Sequence, residues 1–489
     1  MKFSAKKNNQ AQDINWHIAQ GPILPLLIRL TIPAAMAQLV NALYSIVDRM
    51  YIGHLPEIGT LALGSVGLTF PITTLISAFA CLPGMGGAPL ASIAIGQGDT
   101  RKAQRYLNQA ALLLLIISAV MTVLCLAFLE PILLLFGADA TTLPYAQSYL
   151  QIYLLGTVFV EFALGLNPFI NTQGFLFTGT ISVIIGAVLN IVLDPLLMYV
   201  LKLDVRGAAL ATVLSQMVSC VWVLGFLCSS RSGIRLSCKE MHFHGTSMTE
   251  ICTLGVSPFT FRLNESLVMI LLNRLLRIYG GTAADLHLAS MTILNSISQI
   301  FFMPLLGVVN GAQPILSYNF GARNYERVHQ TVHYARILSF GCAAFMWAVI
   351  MIFPQGICLL FNNDPQLVEL TTVTLRIMFC TSLALGFQMI NQNAFVAVGN
   401  TGYSFFFGIM RKLLILIPLA FILPRYLGVW GIYAAEAISN PVTTLVTFVV
   451  FSRYLHKIRV SWATDSCTPV ATEDNSMFSY PADSDCLRK

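Results

Sequence analysis

Twelve apolar stretches follow one another along the chain, at roughly 22–51, 58–96, 102–129, 142–168, 177–200, 205–229, 249–279, 284–319, 326–353, 367–396, 403–424 and 428–455, with only short polar breaks between them. A hydrocarbon core about 30 Å thick is crossed by a helix of about 20 residues. Inside that core every backbone N–H and C=O must find a partner within the protein, which leaves helices or a closed barrel as spanning structures. Runs this long, without strand-like alternation, are helices. The expectation is an all-α integral membrane protein with twelve transmembrane helices. The 489 residues are 56% hydrophobic and only 10% charged, whereas soluble chains carry roughly a quarter charged residues. The polar remainders, residues 1–20, about 231–248 and the tail after Arg459, are too short to bury cores of their own, so any chemistry takes place in the bilayer. Several runs exceed 25 residues, which calls for tilt or bending, and Pro33, Pro71, Pro258 and Pro304 mark the expected bends.

The net charge of +6 is not spread evenly. Cations gather after the second, sixth, eighth and twelfth runs: Arg101, Lys102 and Arg105; Arg231, Arg235 and Lys239; Arg323 and Arg327; Arg453, Lys457 and Arg459. The opposite ends carry fewer, Lys202, Arg206, Arg274, Arg277 and Arg425. By the positive-inside rule both termini are expected in the cytoplasm, and the basic balance reads as topology rather than nucleic-acid binding. The eleven cysteines sit singly, without the CxxC or Cys/His spacing of a metal or disulfide framework. The first apolar run passes straight into Asp48 and Arg49 without a small-residue cleavage site, so no signal peptide is expected to be removed.

The second half of the chain repeats the first at an offset of about 225 residues. Pro33 falls on Pro258, Asp48-Arg49 on Asn273-Arg274, Leu63 and Ser65 on Leu288 and Ser290, and Gly86 on Gly311. Pro89, Ser92 and Gly96 fall on Pro314, Ser317 and Gly321; Leu135, Phe136 and Asp139 fall on Leu360, Phe361 and Asp364. With a shift of one, Leu203, Val205 and Gly207 fall on Leu427, Val429 and Gly431. Six helices per half is an even number, so both halves enter from the same side and are related by an axis along the membrane normal, the parallel repeat found in transporters. The expected organisation is a cytoplasmic segment 1–20, an N-lobe 21–230, a cytoplasmic linker 231–248, a C-lobe 249–456 and a disordered cytoplasmic tail 457–489. The cleft between lobes is the expected path.

Ionisable groups within membrane helices cost about 2.5 to 3.5 kcal/mol on insertion scales and are functional candidates by default. Asp48 lies in the first helix, and its repeat mate is Asn273, so the acid belongs to one half only. Asp194 lies in the fifth, with Asn190 one turn before it on the same face, and Thr212 in the sixth helix falls at similar depth. Two carboxylates side by side in a poorly hydrated setting cannot both stay ionised without a cation or proton, so this quartet reads as a titratable cation site. The plainer alternatives are that Asp48 pairs with neighbouring Arg49 and that Asp194-Pro195 merely ends its helix. The second half offers Glu265 beside Asn264 in the seventh helix, Glu436, the mate of Thr212, in the twelfth, and Gln388, Asn391, Gln392 and Asn393 in the tenth. The acids could be satisfied by an interior cation such as Arg262, and the amides could be interhelical glue. Glu161 in the fourth helix is an orphan, and Arg411 and Lys412 are expected to snorkel to cytoplasmic headgroups. No GxxxxGK[ST], HExxH or GxSxG signature occurs, which removes Walker-type ATP hydrolysis and the common intramembrane hydrolases. His242 and His244 sit in the polar linker and are expected to be solvated.

The residues from Pro33 through Asp48-Arg49-x-Tyr51-Ile52-Gly53, then Gly86-Gly87-x-Pro89 before Gly96-Gln97-Gly98-Asp99, set in two repeated six-helix halves, resemble the multidrug and toxic compound extrusion (MATE) transporters, most of all their bacterial MepA-like branch. The resemblance covers about residues 20–455. It implies two six-helix bundles forming a V-shaped central cleft, in a bacterial cytoplasmic membrane, exporting cationic or amphiphilic small molecules in exchange for H+ or Na+, as a monomer and without a cofactor. It further implies that Asp48 is the first-helix acid of the cation site, taking transported Na+ or H+ with Asp194; that Asn190, Asp194, Thr212 and Asn167 form the family's proton network; that Glu265 is the seventh-helix acid of a second branch, whose tenth-helix acid is here replaced by amides; and that the first helix bends near Pro33. A flippase for a lipid-linked saccharide is the alternative within the superfamily, a channel the alternative outside it, and the acids at Asp48, Asp194 and Glu265 count against the flippase.

Overall fold

The computed structural model describes residues 20–467 apart from 54, 56–57, 137, 139, 238–242 and 362–363. Asp139, Lys239, His242, the rest of the N-terminal segment, the tail beyond 467 and the side chains of Arg49 and Leu63 lie outside the described residues. The chain forms twelve spans: α1 (Ile23–Gly53), α2 (Gly59–Gly96), α3 (Thr100–Ala127), α4 (Leu143–Leu155 then Thr157–Thr172), α5 (Leu176–Pro195, extended by a π turn, Leu196–Val200), α6 (Asp204–Cys228), α7 (Gly245–Tyr279), α8 (Ala284–Gly321), α9 (Tyr325–Ile352), α10 (Pro365–Phe379 then Ser382–Ala397), α11 (Thr401–Ile409, a π segment Met410–Leu416, then Ile417–Ile422) and α12 (Trp430–Cys467). Nine are individually long and apolar enough to cross a membrane, and the two broken spans raise the number to eleven. The twelfth is α7, 35 residues long, whose apolar character is diluted by Arg262, Glu265, Arg274 and Arg277. No strand occurs among the described residues.

The prolines do not break their helices. Pro33, Pro71, Pro258 and Pro304 each sit inside an uninterrupted helix, as membrane helices tolerate. Beside Pro33, Thr180 of α5 donates its hydroxyl to the Pro33 carbonyl at 2.8 Å, which ties α1 to α5. The breaks fall elsewhere, by 56° in α4 at Gly156 and by 45° in α10 around Thr381. At Gly156 any Cβ would run into the methyl groups of Val213 in α6, so the bend lets the chain pass where no side chain fits.

The repeat read from sequence is carried into backbone detail. Gly59–Gly96 and Ala284–Gly321 begin and end 225 residues apart, as do Thr100–Ala127 and Tyr325–Ile352. Short helices Leu129–Leu135 and Pro354–Leu359 follow in register. Positive φ recurs at Gly98 and Arg323 and at Gly174 and Gly399. Both equivalent helices are N-capped, Asp99 accepting from the Lys102 amide at 2.9 Å and Asn324 from the Arg327 amide at 3.2 Å. Such caps occupy amides that the first helical turn leaves without partners.

Each half's first helix lies against the other half's second, α1 on α8 and α7 on α2. Glycines make these crossings, and that of α2 on α8, possible. A Cβ on Gly96 would strike the Tyr318 carbonyl oxygen, and one on Gly321 the Ile93 carbonyl oxygen, the two contacts being mates under the repeat. Where α7 crosses α2, a Cβ on Gly255 would strike the Leu82 carbonyl oxygen, and where α8 crosses α1 one on Gly307 would meet Ala35 at 2.6 Å. Ser92, mate of Ser317, donates across the same seam to the Pro314 carbonyl at 3.4 Å. All of these lie in the half of the molecule that carries both described chain ends. Toward the opposite end α1 exposes Leu43 and Met50 and α7 exposes Leu267 and Ile270, and the two bundles form a V around a central cleft. Gly321→Ala should therefore cost about 1 to 3 kcal/mol through overpacking against backbone that cannot move aside. Gly341→Ala in α9, where a Cβ meets nothing within 4 Å, should be neutral or mildly stabilising because alanine restricts the unfolded chain. Thermal unfolding of the two variants in detergent checks the contrast.

Candidate cation-coupling site

In the first half, three helices bring their polar residues to one place near the end away from the chain termini. Asn190 and Asp194 occupy one face of α5, 2% and 0% exposed. Asn190 Nδ2 donates to Asp194 Oδ1 and to Thr212 Oγ1 of α6, each at 3.4 Å. The Asp194 carboxyl lies within hydrogen-bonding reach of Asp48 of α1. Tyr149, on the first segment of α4, sets its hydroxyl against Thr212 and beside Asp48 and Tyr44. The quartet expected from sequence is assembled, and Tyr149 joins it. Nothing in the sequence marked that tyrosine, since a tyrosine in an apolar run is ordinary.

Local structure explains how Asp194 stays in place. Pro195 has no N–H to continue the helix, and the chain widens into the π turn Leu196–Val200, the kind of local insertion that recurs at functional sites. From that turn Tyr199 reaches α1, its hydroxyl donating to the Tyr51 carbonyl at 2.6 Å. Two atoms are left over. Asp194 Oδ2 and Asn190 Oδ1 are buried with no hydrogen-bond partner among the described residues. Buried acceptors without donors are costly, and two carboxyls in mutual reach need a proton or a cation between them. The cluster can hold either.

Asn167 is placed apart from this group. Its Nδ2 donates to the Gly179 carbonyl at 2.9 Å and to Ser182 Oγ at 2.7 Å, and its Oδ1 accepts from Asn171 at 3.1 Å. Ser182 and Asn190 are eight residues apart on α5, about 12 Å at the helical rise, so in this arrangement Asn167 fastens α4 to α5 well below the acid pair.

The second half differs in kind. Arg411 Nη2 lies 3.0 Å from Glu265 Oε1, and Lys412 Nζ lies 3.5 Å from Glu265 and 3.1 Å from Glu436. The cations are buried, their side chains 5% and 6% exposed, while the Glu265 side chain is 45% exposed. This corrects the expectation that Arg411 and Lys412 snorkel to headgroups. Arg411 is ten residues into α11, about 15 Å from its end, too deep for the side chain to reach out. It also replaces Arg262, which is exposed, as the partner of the acids. In a regular helix neighbouring side chains diverge by about 100°; here both 411 and 412 reach Glu265 from a π segment.

The tenth-helix amides are likewise engaged, one pair within the helix and one amide with α9. Gln388 donates to Gln392 at 3.1 Å, and Asn391 Oδ1 accepts from Arg336 Nε at 2.8 Å. Arg336 stacks over Phe448 at 4.7 Å from the ring centre. That arginine, inside the ninth apolar run, was a readable signal that sequence reasoning passed over. Asn264 is 3% exposed and leaves its Nδ2 without a partner among the described residues. Among the described residues no group of three or more His, Cys, Asp or Glu side chains could hold a resident metal.

A two-fold bundle of twelve membrane helices around a central cleft, with two carboxyls in mutual reach inside one half, defines a secondary-transporter architecture. The MatE family model matches residues 33–196 and 263–422, one stretch in each half, and the chain belongs to that family of multidrug efflux transporters. It is 27% identical over 440 residues to the multidrug export protein MepA of Staphylococcus haemolyticus, covering 89% of this chain and 95% of that protein. It is also 23% identical over 455 residues to the FAD transporter of Shewanella oneidensis, covering 91% and 98%. Among solved structures, a MOP superfamily transporter from Pyrococcus furiosus with a binding pocket of reverse polarity matches with a TM-score of 0.84 at 24% identity, over 91% of this chain and 98% of that one. A MATE crystal structure in the bent conformation matches at 0.85, over 93% and 99%. At that identity the structural likeness speaks for the fold.

Proposed function

We propose that this chain is a secondary active antiporter that exports cationic or amphiphilic small molecules across a bacterial cytoplasmic membrane, exchanging them for protons by alternating access. The observation that carries the reading is the asymmetry between halves: Asp48 and Asp194 face one another with Asp194 Oδ2 unpartnered among the described residues, whereas Glu265 and Glu436 are already neutralised by Arg411 and Lys412. Ion exchange then belongs to the N-lobe, residues 21–230, joined by the linker 231–248 to a C-lobe, 249–456. The Lys and Arg distribution supports cytoplasmic termini, which sets the acid pair toward the outer face. A proton entering there neutralises the pair, weakens its hold on a cationic substrate, and favours closure as α1 shifts about Pro33. Each chain contains its own cleft and works as a monomer.

Sodium is the second reading, favoured by one observation: Asn190 Oδ1 and Asp194 Oδ2 are buried acceptors with no donor among the described residues, the oxygen type that a hard cation takes. A lipid-linked saccharide or a dinucleotide, the cargo in the name of the Shewanella relative, would profit from free positive charge, and Arg411 and Lys412 are taken up by carboxylates. The test is efflux of ethidium from energised cells, with the proton and sodium gradients collapsed separately. Loss of efflux on collapsing the proton gradient alone is expected. Efflux that follows sodium alone selects the second reading, and no efflux under any gradient removes the multidrug assignment.

A further inference from the structure

We infer that the groove between α9 and α12, on the membrane face that carries the chain termini, binds the headgroup of an anionic phospholipid, with Arg336 as the ligand of its phosphate. The Arg336 guanidinium lies over the rings of Phe448 and Phe451 of α12, at 4.7 and 5.7 Å from their centres. Its Nε donates to Asn391 Oδ1 of α10 at 2.8 Å. Two donors are left over, since Arg336 Nη2 and Asn391 Nδ2 are buried with no partner among the described residues. Neither α9 beyond Glu326, nor the second segment of α10, nor α12 between Glu436 and Asp465 carries an acid. The charge therefore has no counter-ion on the helices that hold it, which is costly at membrane depth. A phosphate, which can take a planar guanidinium on two oxygens, supplies what is missing. The neighbouring side chains fix the level. On α9 the exposed His329 and His333 come before Arg336 and the exposed Ile337 and Phe345 after it. On α12 the exposed Leu445 and Phe448 give way to the exposed Arg453, His456 and Lys457. Both helices thus change from apolar to basic beside Arg336, the level at which acyl chains meet headgroups, and basic pockets between membrane helices take anionic headgroups. Next to Phe451 an open groove of about 540 Å³ is lined by Ser452, Arg453, His456, Lys457 and Val460.

The repeat explains why this groove is open. Arg336 is the mate of Ala111, and Phe448, with the shift of one, that of Leu224. Ala111 and Leu224 pack in one apolar cluster with Ile234 and Leu236 of the linker. The linker folds back there, the Ser237 amide donating to Asn108 Oδ1 and the Leu236 amide to the Leu227 carbonyl, each at 3.1 Å. Protein fills the groove between α3 and α6. In the second half α12 runs on as a helix to Cys467, past the point at which α6 ends, and no described segment returns over α9. The bilayer is left to fill the groove, and a wall of cations without acids selects a lipid of net negative charge. Topology alone puts cations beside the membrane; it does not account for a guanidinium beneath them with a buried nitrogen that nothing accepts.

The experiment titrates the full chain in detergent with phosphatidylglycerol, with phosphatidylcholine or with inorganic phosphate, following thermal unfolding and, by native mass spectrometry, the lipid retained. Phosphatidylglycerol should be retained and should raise the unfolding midpoint, and the other two should do neither. Arg336→Gln should weaken phosphatidylglycerol binding about fivefold, Arg336→Lys should recover part of it, and Arg105→Gln, an exposed cation of α3, should leave it unchanged. The wild type decides alone if a variant does not fold: equal effects of phosphatidylglycerol and phosphatidylcholine, or an equal effect of inorganic phosphate, overturn the site. Unchanged binding in Arg336→Gln overturns it as well. A full-length variant with Glu473, Asp474, Asp483 and Asp485 changed to amides tests the chain's own tail as occupant. Phosphatidylglycerol bound by that variant and not by wild type would give the groove to the tail and overturn the lipid site.

Discussion

Asp194→Asn should abolish gradient-driven accumulation while leaving the fold intact. An asparagine can keep the contacts to Asn190 and Asp48 that Asp194 makes, so thermal stability should change little. It cannot take up and release a proton. One proton entering down about 100 mV supplies roughly 2.3 kcal/mol, and one pH unit about 1.4 kcal/mol more. Together these support a gradient of several hundredfold in a neutral substrate exchanged one for one, and all of it should disappear. For a monovalent cation the voltage contribution cancels in such an exchange, and about tenfold per pH unit is what the mutation would remove. Asp48→Asn should behave alike, and the double variant should be no worse than either alone, because residues that act as one unit are not additive. Accumulation of a neutral and a cationic dye in the same vesicles checks both figures. Half-activity in each single variant, falling to zero in the double, would mean two independent sites.

The second large effect belongs to the other half. Lys412→Met removes the cation shared by Glu265 and Glu436, which it approaches at 3.5 and 3.1 Å. Glu265 keeps Arg411 at 3.0 Å, but Glu436, its side chain 16% exposed, loses the cation that neutralises it. Taking one partner from a buried pair costs about 3 to 5 kcal/mol, because the remaining charge is uncompensated. Adding Glu436→Gln should recover most of that loss. Unfolding midpoints of the two singles and the double give the coupling directly. If Lys412→Met is as stable as wild type, the cluster does not hold the C-lobe together.

The parts of this architecture that could be read in the sequence are those whose cause is local or periodic. Apolar runs give helices because a bilayer permits little else, and the 225-residue repeat recurs in helix bounds, caps and turn glycines. Asn190 and Asp194 were legible as a pair because four residues make one helical turn, and Thr212 followed from depth. What was hidden depends on contacts between distant segments. Glu265 and Arg411 are 146 positions apart, so nothing local shows that the arginine turns inward rather than toward headgroups. The break at Gly156 falls where Val213 of another helix leaves no room for a side chain, whereas Pro33, Pro71, Pro258 and Pro304 lie inside uninterrupted helices. Asn167 has the spacing of a network member, yet its bonds to Gly179 and Ser182 place it lower on α5.

The central claim is that substrate and proton exchange through the N-lobe acid pair. Coupling between two ligands is reciprocal in free energy, so it can be tested in reverse. Proteoliposomes loaded with ethidium at equal pH inside and out, with no imposed voltage and no sodium, are diluted into substrate-free buffer while internal pH is followed. The account requires protons to move opposite to the departing substrate, driven by its gradient alone, in wild type but not in Asp48→Asn or Asp194→Asn. Ethidium leaving with no change in internal pH, or with the same change when both acids are replaced, would contradict it.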